Sequence, residues 1–473
     1  MSQSILTNTA VATFGRIVNI SLGIVATALI TRFLGATSYG SYILLFSFGA
    51  IIQLLADFGL YLTLTKEIAR NPSANKIISS AISLRLFLLI LAFFLGAIAT
   101  VFIPALSGLL YVFIFAGIGL VFQSLSQLLM GVFQYRGEIW RAVAGDLLGR
   151  TVQIAAIFWV GQAHASVTAM VVIFSAGAGA AFIGHQFLLP AGFSWRPRVD
   201  WPAWKQLLSA SWPLGAMLLL NAVYFRVDTI ILSFFRPAQE VGWYGLAYRI
   251  IESALFFPAM FGGLLLPRLS EALSKRNRPQ AAGFITEGFR LLFVVAALAV
   301  TVLLAVSPGI INLISGRQYA AAAPLLAILS LALAFMFIGN LFGFSLVALN
   351  KQSVLLKLYL GLIFFNLVTN LMFIPRWGAA AAAWTTVGTE ILSVVIAGAY
   401  VYRLLPFTLG VLFIIKTLFT ALATFALLSF TTGSLPVIFQ LIIAPPFFLA
   451  VASFLRLVSA EDLTLLRAAR GNK

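Results

Sequence analysis

Residues Ala320–Leu349 read AAAAPLLAILSLALAFMFIGNLFGFSLVAL, thirty positions without one charged side chain. As an α-helix this run is about 45 Å long, against a hydrocarbon core of about 30 Å. A helix apolar on every face lies in a membrane or deep in a large core. Composition decides between the two. Of 473 residues, 62% are hydrophobic and 9% charged, whereas soluble domains carry about 25% charged residues. Mean hydropathy is +1.05. The chain is a polytopic membrane protein.

Runs of similar length recur on both sides of this one. Fourteen can be read: Ala10–Leu34, Tyr39–Leu62, Ile77–Ile103, Gly108–Phe133, Ile139–Val160, Val167–Leu189, Leu207–Phe235, Val241–Leu266, Phe284–Val306, Ala320–Leu349, Val354–Ile374, Ala379–Leu404, Phe407–Phe430 and Leu435–Leu457. Pro213, Pro258, Pro324 and Pro445/Pro446 lie inside them and are expected to kink or interrupt helices. Met1–Thr9 is polar and uncharged, unlike the basic start of a signal peptide, so the first segment is expected to stay in the mature chain.

The formal net charge is +17, from 30 Lys+Arg against 13 Asp+Glu. Alternate loops and the tail hold nineteen cations, among them Lys66/Arg70/Lys76, Arg136/Arg141, Arg196/Arg198/Lys205 and Arg268/Lys275/Arg276/Arg278. The other loops hold four: Arg32, Arg236, Arg317 and Arg376. Positive residues favour the cytoplasmic side, so both termini are expected there. Nucleic-acid binding is the poorer explanation of this excess. The outer loops are too short for an extracytoplasmic catalytic domain, and the chain reads as a transporter rather than an enzyme. Zero cysteines and two histidines exclude thiolate metal sites and leave little for a histidine-based one, so no metal site is assigned.

The chain also repeats itself. An offset of about 202 places Asn19 on Asn221, Tyr39-Gly-Ser-Tyr42 on Val241-Gly-Trp-Tyr244, and Lys66 on Arg268. An offset of about 216 pairs Gln134 with Asn350, Arg141 with Lys357 and Gly145 with Gly361. Parallel repeats of this kind build many transporters. The expected fold is all-α, with two six-helix lobes at residues 1–189 and 206–405. A cytoplasmic link joins them at 190–205, and two further helices with a cytoplasmic tail occupy 406–473.

Particular stretches now carry a resemblance. TRFLGATSYGSYILLFSFGAIIQLLADFGL (Thr31–Leu60) with LTKEIAR (Leu64–Arg70) resembles the start of bacterial polysaccharide and lipid-linked oligosaccharide flippases. VDTIILSFFRPAQEVGWYGLAYRIIE (Val227–Glu252), LLLPRLSEA (Leu264–Ala272), SGRQYAAAAPLLAILSLA (Ser315–Ala332) and FNLVTNLMFIPRWGAAAAAWTT (Phe365–Thr386) are similar to the same group. This is the multidrug/oligosaccharidyl-lipid/polysaccharide exporter superfamily, and the resemblance covers nearly the whole chain. It implies a bacterial or archaeal cytoplasmic membrane, a lipid-linked oligosaccharide as cargo, contact with membrane lipids, and other glycan-assembly proteins as partners. In the related peptidoglycan-precursor flippase the first helix carries charge beyond the position of Arg16. Here Ile20–Ile30 is uncharged, which argues against a peptidoglycan precursor.

Such cargo presents a pyrophosphate and sugars, and crossing the bilayer requires a polar path lined by cations. Arginine suits the phosphate because its fork donates two hydrogen bonds and stays charged when partly desolvated. The apolar segments contain Arg16, Arg85, Arg150, Arg226, Arg249, Arg290 and Lys416, and an intramembrane charge is a functional candidate by default. Arg249 ranks first, as the arginine of a family-like Tyr-x-x-Ala-x-Arg pattern at 244–249. Arg226, Arg16, Arg85 and Asn221 complete the substrate-binding candidates.

Alternatives stand beside each candidate. Arg249–Glu252 and Arg226–Asp228 are either a charged site or structural pairs between segments seven and eight. Arg16 either forms a site with Asp57 or snorkels to headgroups, and Arg85 either faces the cavity or snorkels. Asp146–Arg150 and Glu287–Arg290 read as self-neutralised pairs, and Lys416 as a snorkelling lysine.

No G-x-x-x-x-G-K-[ST] loop is present, and no cofactor is expected. Uphill transport would couple to H⁺, Na⁺ or the membrane potential, with Asp57, Asp228, Glu252 and Glu390 as ion-coupling candidates. The expected function is flipping of a polyprenyl-pyrophosphate-linked oligosaccharide, or similar anionic glycolipid, by alternating access. Alternatives are an organic-cation exporter of the same superfamily, or an integral-membrane glycan polymerase or glycosyltransferase. A bend at Pro258 is expected to act as a hinge.

Overall fold

The computed structural model describes residues 2–70, 75–189 and 196–457. Within them lie fourteen α-helices: α1 Ser2–Asp57, α2 Leu60–Arg70, α3 Asn75–Phe102, α4 Leu110–Arg136, α5 Ile139–Gly161, α6 Val167–Phe187, α7 Trp201–Phe235, α8 Ala238–Ala254, α9 Phe256–Ser274, α10 Arg278–Ser315, α11 Ala322–Ala348, α12 Gln352–Leu404, α13 Val411–Thr431 and α14 Val437–Phe454.

Helices and crossings do not correspond one to one. The apolar span Thr13–Asp57 has 45 residues and Gln352–Leu404 has 53, about 68 and 80 Å as helix, so each crosses a 30 Å core twice. The reversals are single glycines in backbone conformations that L side chains rarely adopt: Gly35 (φ 72°, ψ 168°) in α1 and Gly378 (φ 59°, ψ −139°) in α12. Conversely, α8 and α9 form one crossing interrupted at Leu255. Pro258 causes this break, because its ring excludes the carbonyl four residues back, at Ala254. Among the described residues twelve apolar spans, two of them double length, account for the fourteen crossings that the sequence predicts.

Pro324 does not behave as expected. It falls in the first turn of α11, where its missing N–H belongs to a set with no intrahelical acceptor, so the helix starts there without a kink. Pro445 and Pro446 lie inside α14, which runs through them.

By packing, the chain forms two compact units, Met1–Gly245 and Leu246–Lys473. In the first, Leu60, Leu64, Ile78, Ile82, Leu128 and Trp204 build a core between α2, α3, α4 and α7. Of the 190–205 link, residues 190–195 lie outside the described residues, and the rest is docked on α3. Ser83 Oγ donates to Arg198 O at 2.6 Å, Trp204 Nε1 donates to Ser83 Oγ at 3.1 Å, and Arg198 N donates to Ser79 O at 3.2 Å. Asp200 then caps α7 by accepting from Ala203 N at 3.2 Å. In the second unit α13 and α14 pack chiefly on α10 and on each other, around Phe448, Ala452 and Leu457.

Three basic side chains finish helices rather than standing free. Arg141 Nη1 donates to Leu188 O at 2.8 Å beyond α6, Arg278 Nη2 to Leu404 O at 3.1 Å in α12, and Lys416 Nζ to Leu455 O at 3.0 Å beyond α14. Terminal carbonyls lack intrahelical donors and carry the negative end of the helix dipole, so a cation suits each. Lys416 thus ties α13 to the end of α14.

Candidate functional site

The intramembrane charges sort by what surrounds them. Asp57 is the last residue of α1, before two residues of positive φ, Phe58 (44°) and Gly59 (74°). Its carboxylate pairs with Arg85 of α3, which is fully buried and donates through Nε to Ser124 Oγ of α4 at 2.7 Å. Of the two readings of Arg16, the one that joins it to Asp57 gives way to this Asp57–Arg85 pair. The break at Phe58–Gly59 ends α1 with its last carboxylate against α3, and Arg85 has no same-helix partner to compete for.

Arg16 instead faces a different set. It is exposed on α1, and together with Arg150 and His185 it lies in electrostatic reach of Asp146 on α5. Arg150, which acts on Asp146 one turn away as the i,i+4 spacing predicts, has further partners as well. Its Nε donates to Asn19 Oδ1 at 3.2 Å and its Nη1 to Gln153 Oε1 at 2.8 Å. His185 Nε2 stands 3.6 Å from Asp146 Oδ1. The sequence reading passed over this histidine, although Gly145, which gives it room, stands out in the 216-residue repeat.

On α7, Asn221 and Arg226 are partly buried. Asp228, only 2% exposed, accepts a hydrogen bond from Tyr244 Oη of α8 at 3.0 Å. Arg226 and Asp228 are two residues apart and so point about 200° apart around the helix. In the second unit Arg249 Nη1 is 3.5 Å from Glu252 Oε2, and the side chains are 46% and 19% exposed. The i,i+3 spacing puts them on one face, as predicted, but the arginine keeps nearly half of its surface open.

Glu390 of α12 is 5% exposed and within electrostatic reach of Tyr359. A buried polar seam joins the two halves of α12. Asn370 Nδ2 donates to Asn366 Oδ1 at 2.9 Å, and Asn366 Nδ2 to Thr389 Oγ1 at 3.5 Å. These amide and hydroxyl groups form a buried polar cluster on α12. Arg290, read as self-neutralised with Glu287, lies over the Phe413 ring at 5.6 Å. An apolar groove of about 580 Å³ opens along α12 between Phe373, Trp377 and Trp384.

A family model described as "Polysaccharide biosynthesis protein" matches residues 5–273. The chain is 22% identical over 366 residues to the "Probable low-salt glycan biosynthesis flippase Agl15" of Haloferax volcanii, covering 75% of this chain and 74% of that one. Among solved structures, the lipid II flippase MurJ in an inward closed conformation aligns with a TM-score of 0.78 at 14% identity. The alignment covers 95% of this chain and 98% of that one. An inward-facing multidrug resistance MATE family transporter aligns with a TM-score of 0.65 at 16% identity, covering 81% and 95%. These two likenesses are of fold.

Proposed function

The chain belongs to the polysaccharide biosynthesis protein family, and we propose that it flips a polyprenyl-pyrophosphate-linked oligosaccharide, or a similar anionic glycolipid, across the cytoplasmic membrane. Movement runs from the inner to the outer leaflet by alternating access, with both termini cytoplasmic. The membrane potential or an H⁺ or Na⁺ gradient drives it.

One observation carries this reading. The two exposed groups among the intramembrane candidates are cations, Arg16 and Arg249, while three of the four candidate carboxylates are buried; Arg85 is the buried cation, closed onto Asp57. Arg16 is exposed and Arg249 is 46% exposed, whereas Asp57, Asp228 and Glu390 are 8%, 2% and 5% exposed. A charge with open surface inside a membrane span faces water or a polar ligand, because hydrocarbon would cost it several kcal/mol. Open arginines fit phosphate, and an organic-cation exporter would need its carboxylates open instead. The groove along α12 offers an apolar surface for an isoprenoid chain. The buried Glu390 carboxylate and the separate Asn366–Asn370 seam are the candidates for ion coupling.

The name of the Haloferax relative, a probable glycan-biosynthesis flippase, supports transport rather than catalysis. Arg249→Ala tests the reading in the source organism. The variant is expected to reach the membrane in normal amount and to abolish surface glycan, and unchanged glycan would remove Arg249 from the substrate path.

A further inference from the structure

His185 occupies a cavity shaped for it. The side chain is 1% exposed, and a Cβ at Gly145 of α5 would overlap its ring at Cδ2. At Gly361, which the 216-residue repeat pairs with Gly145, an added Cβ meets nothing within 4 Å. A side chain filling the space over this glycine is therefore a feature of the first half of the chain. Nε2–H donates to Ala142 O at 2.9 Å, and Nδ1 is buried without a hydrogen-bond partner. The neutral ring is satisfied at one nitrogen and leaves the other as the place where a proton would add.

The charges around it come from three helices. On α5, Asp146 Oδ1 is 3.6 Å away, and Arg141 is committed to Glu138 at 3.1 Å and to the Leu188 carbonyl. From α4 comes the Phe133 ring at 5.8 Å, with Arg136 in the helix's last turn. α1 contributes Arg16, one residue after Gly15, which packs on Val143 of α5, and three before Asn19, whose Oδ1 accepts from Arg150 Nε at 3.2 Å.

We propose that His185 and Asp146 form a proton-binding pair linked to anion occupancy at Arg16 and Arg150. An anion drawn to the exposed Arg16 offsets the positive charge beside the pair, and a proton on the pair becomes easier to hold. The pair then takes up a proton, at Nδ1 of His185 or on the carboxylate. By reciprocity, a proton already on the pair strengthens anion binding by the same factor. This rests on the reading that the cargo carries a pyrophosphate, and it adds a residue that the flipping reading does not use.

The test uses purified full-length protein in detergent and a short-chain polyprenyl-pyrophosphoryl disaccharide as probe. Its diphosphate, esterified at both ends, stays ionised throughout. Kd is measured between about pH 6 and 8, the histidine range, and calorimetry in two buffers of different ionisation enthalpy counts the protons taken up. The wild type is expected to gain up to about tenfold in affinity per pH unit lowered, with uptake approaching one proton.

His185→Gln keeps an N–H donor toward Ala142, does not titrate, and is expected to bind with a flat pH profile. Asp146→Asn supplies a second variant with the same expected loss of slope, while His164→Gln retains the wild-type slope. Flat wild-type affinity with no proton uptake, or a His185→Gln protein with the wild-type slope, overturns the proposal. Failure of the flipping reading looks different: the probe then binds neither wild type nor variants at any pH, and the linkage falls with it.

Discussion

Gly40 of α1 and Gly242 of α8 face each other backbone to backbone, and the 202-residue offset that relates them in sequence also relates their neighbours. A Cβ at Gly40 would overlap Ala238 O, one at Gly242 would overlap Ala36 O, and one at Gly245 would lie 2.6 Å from Ile43 Cγ2. The contact is self-complementary, each repeat presenting the same surface to the other. Overpacking of this kind costs about 1–3 kcal/mol. Gly242→Val is expected to open the seam and reduce flipping. The chain has no cysteine, so Ala36→Cys gives a clean reporter. It should resist a membrane-impermeant maleimide on its own, since Ala36 is 7% exposed, and react readily once Gly242→Val is added.

The Asp57–Arg85 pair is buried between α1, α3 and α4. Removing one partner leaves the other charge uncompensated, at a cost of about 3–5 kcal/mol. Asp57→Asn and Arg85→Met should each lower the thermal unfolding midpoint in detergent. The double variant should lose less than the sum of the two, and strict additivity would show that the pair does not interact.

At Arg249, charge and fork geometry can be separated. Arg249→Lys retains the cation but not the paired donors that match a phosphate. A loss of about 1.4 kcal/mol corresponds to tenfold, and initial flipping rates should fall by about that factor, between wild type and Arg249→Ala.

Lys416 provides a contrast. Lys416→Met removes the donor at the end of α14 and should cost about 0.3–1 kcal/mol of stability. Flipping per folded molecule should be unchanged, as measured by pairing melting curves with transport rates.

Much of the fold was legible because the membrane imposes simple rules on sequence. Runs such as Ala320–Leu349 can be placed only as spanning helices, and Pro258 announces the break that the structure has at Leu255. The repeat was readable too, through Gly40 and Gly242, although that they touch is a property of packing. Partners of buried charges were less legible. Asp57 pairs with Arg85 rather than Arg16 because helix rotation and the turn at Phe58–Gly59 decide which residues meet. Spacing along one helix gave only part of Arg150's surroundings for the same reason, since its Nε reaches across to Asn19 of α1. His185 read as one polar residue in an apolar segment, and only the glycine opposite it hinted at a recess.

The most direct measurement is transbilayer movement in proteoliposomes. Protein is reconstituted with a fluorescent short-chain polyprenyl-pyrophosphoryl oligosaccharide, and a membrane-impermeant quencher reports the probe in the outer leaflet. Wild-type protein is expected to move the probe well above the protein-free rate, and Arg249→Ala to remain at that rate. Wild-type protein that moves the probe no faster than empty liposomes, across imposed potentials and ion gradients, would contradict the account.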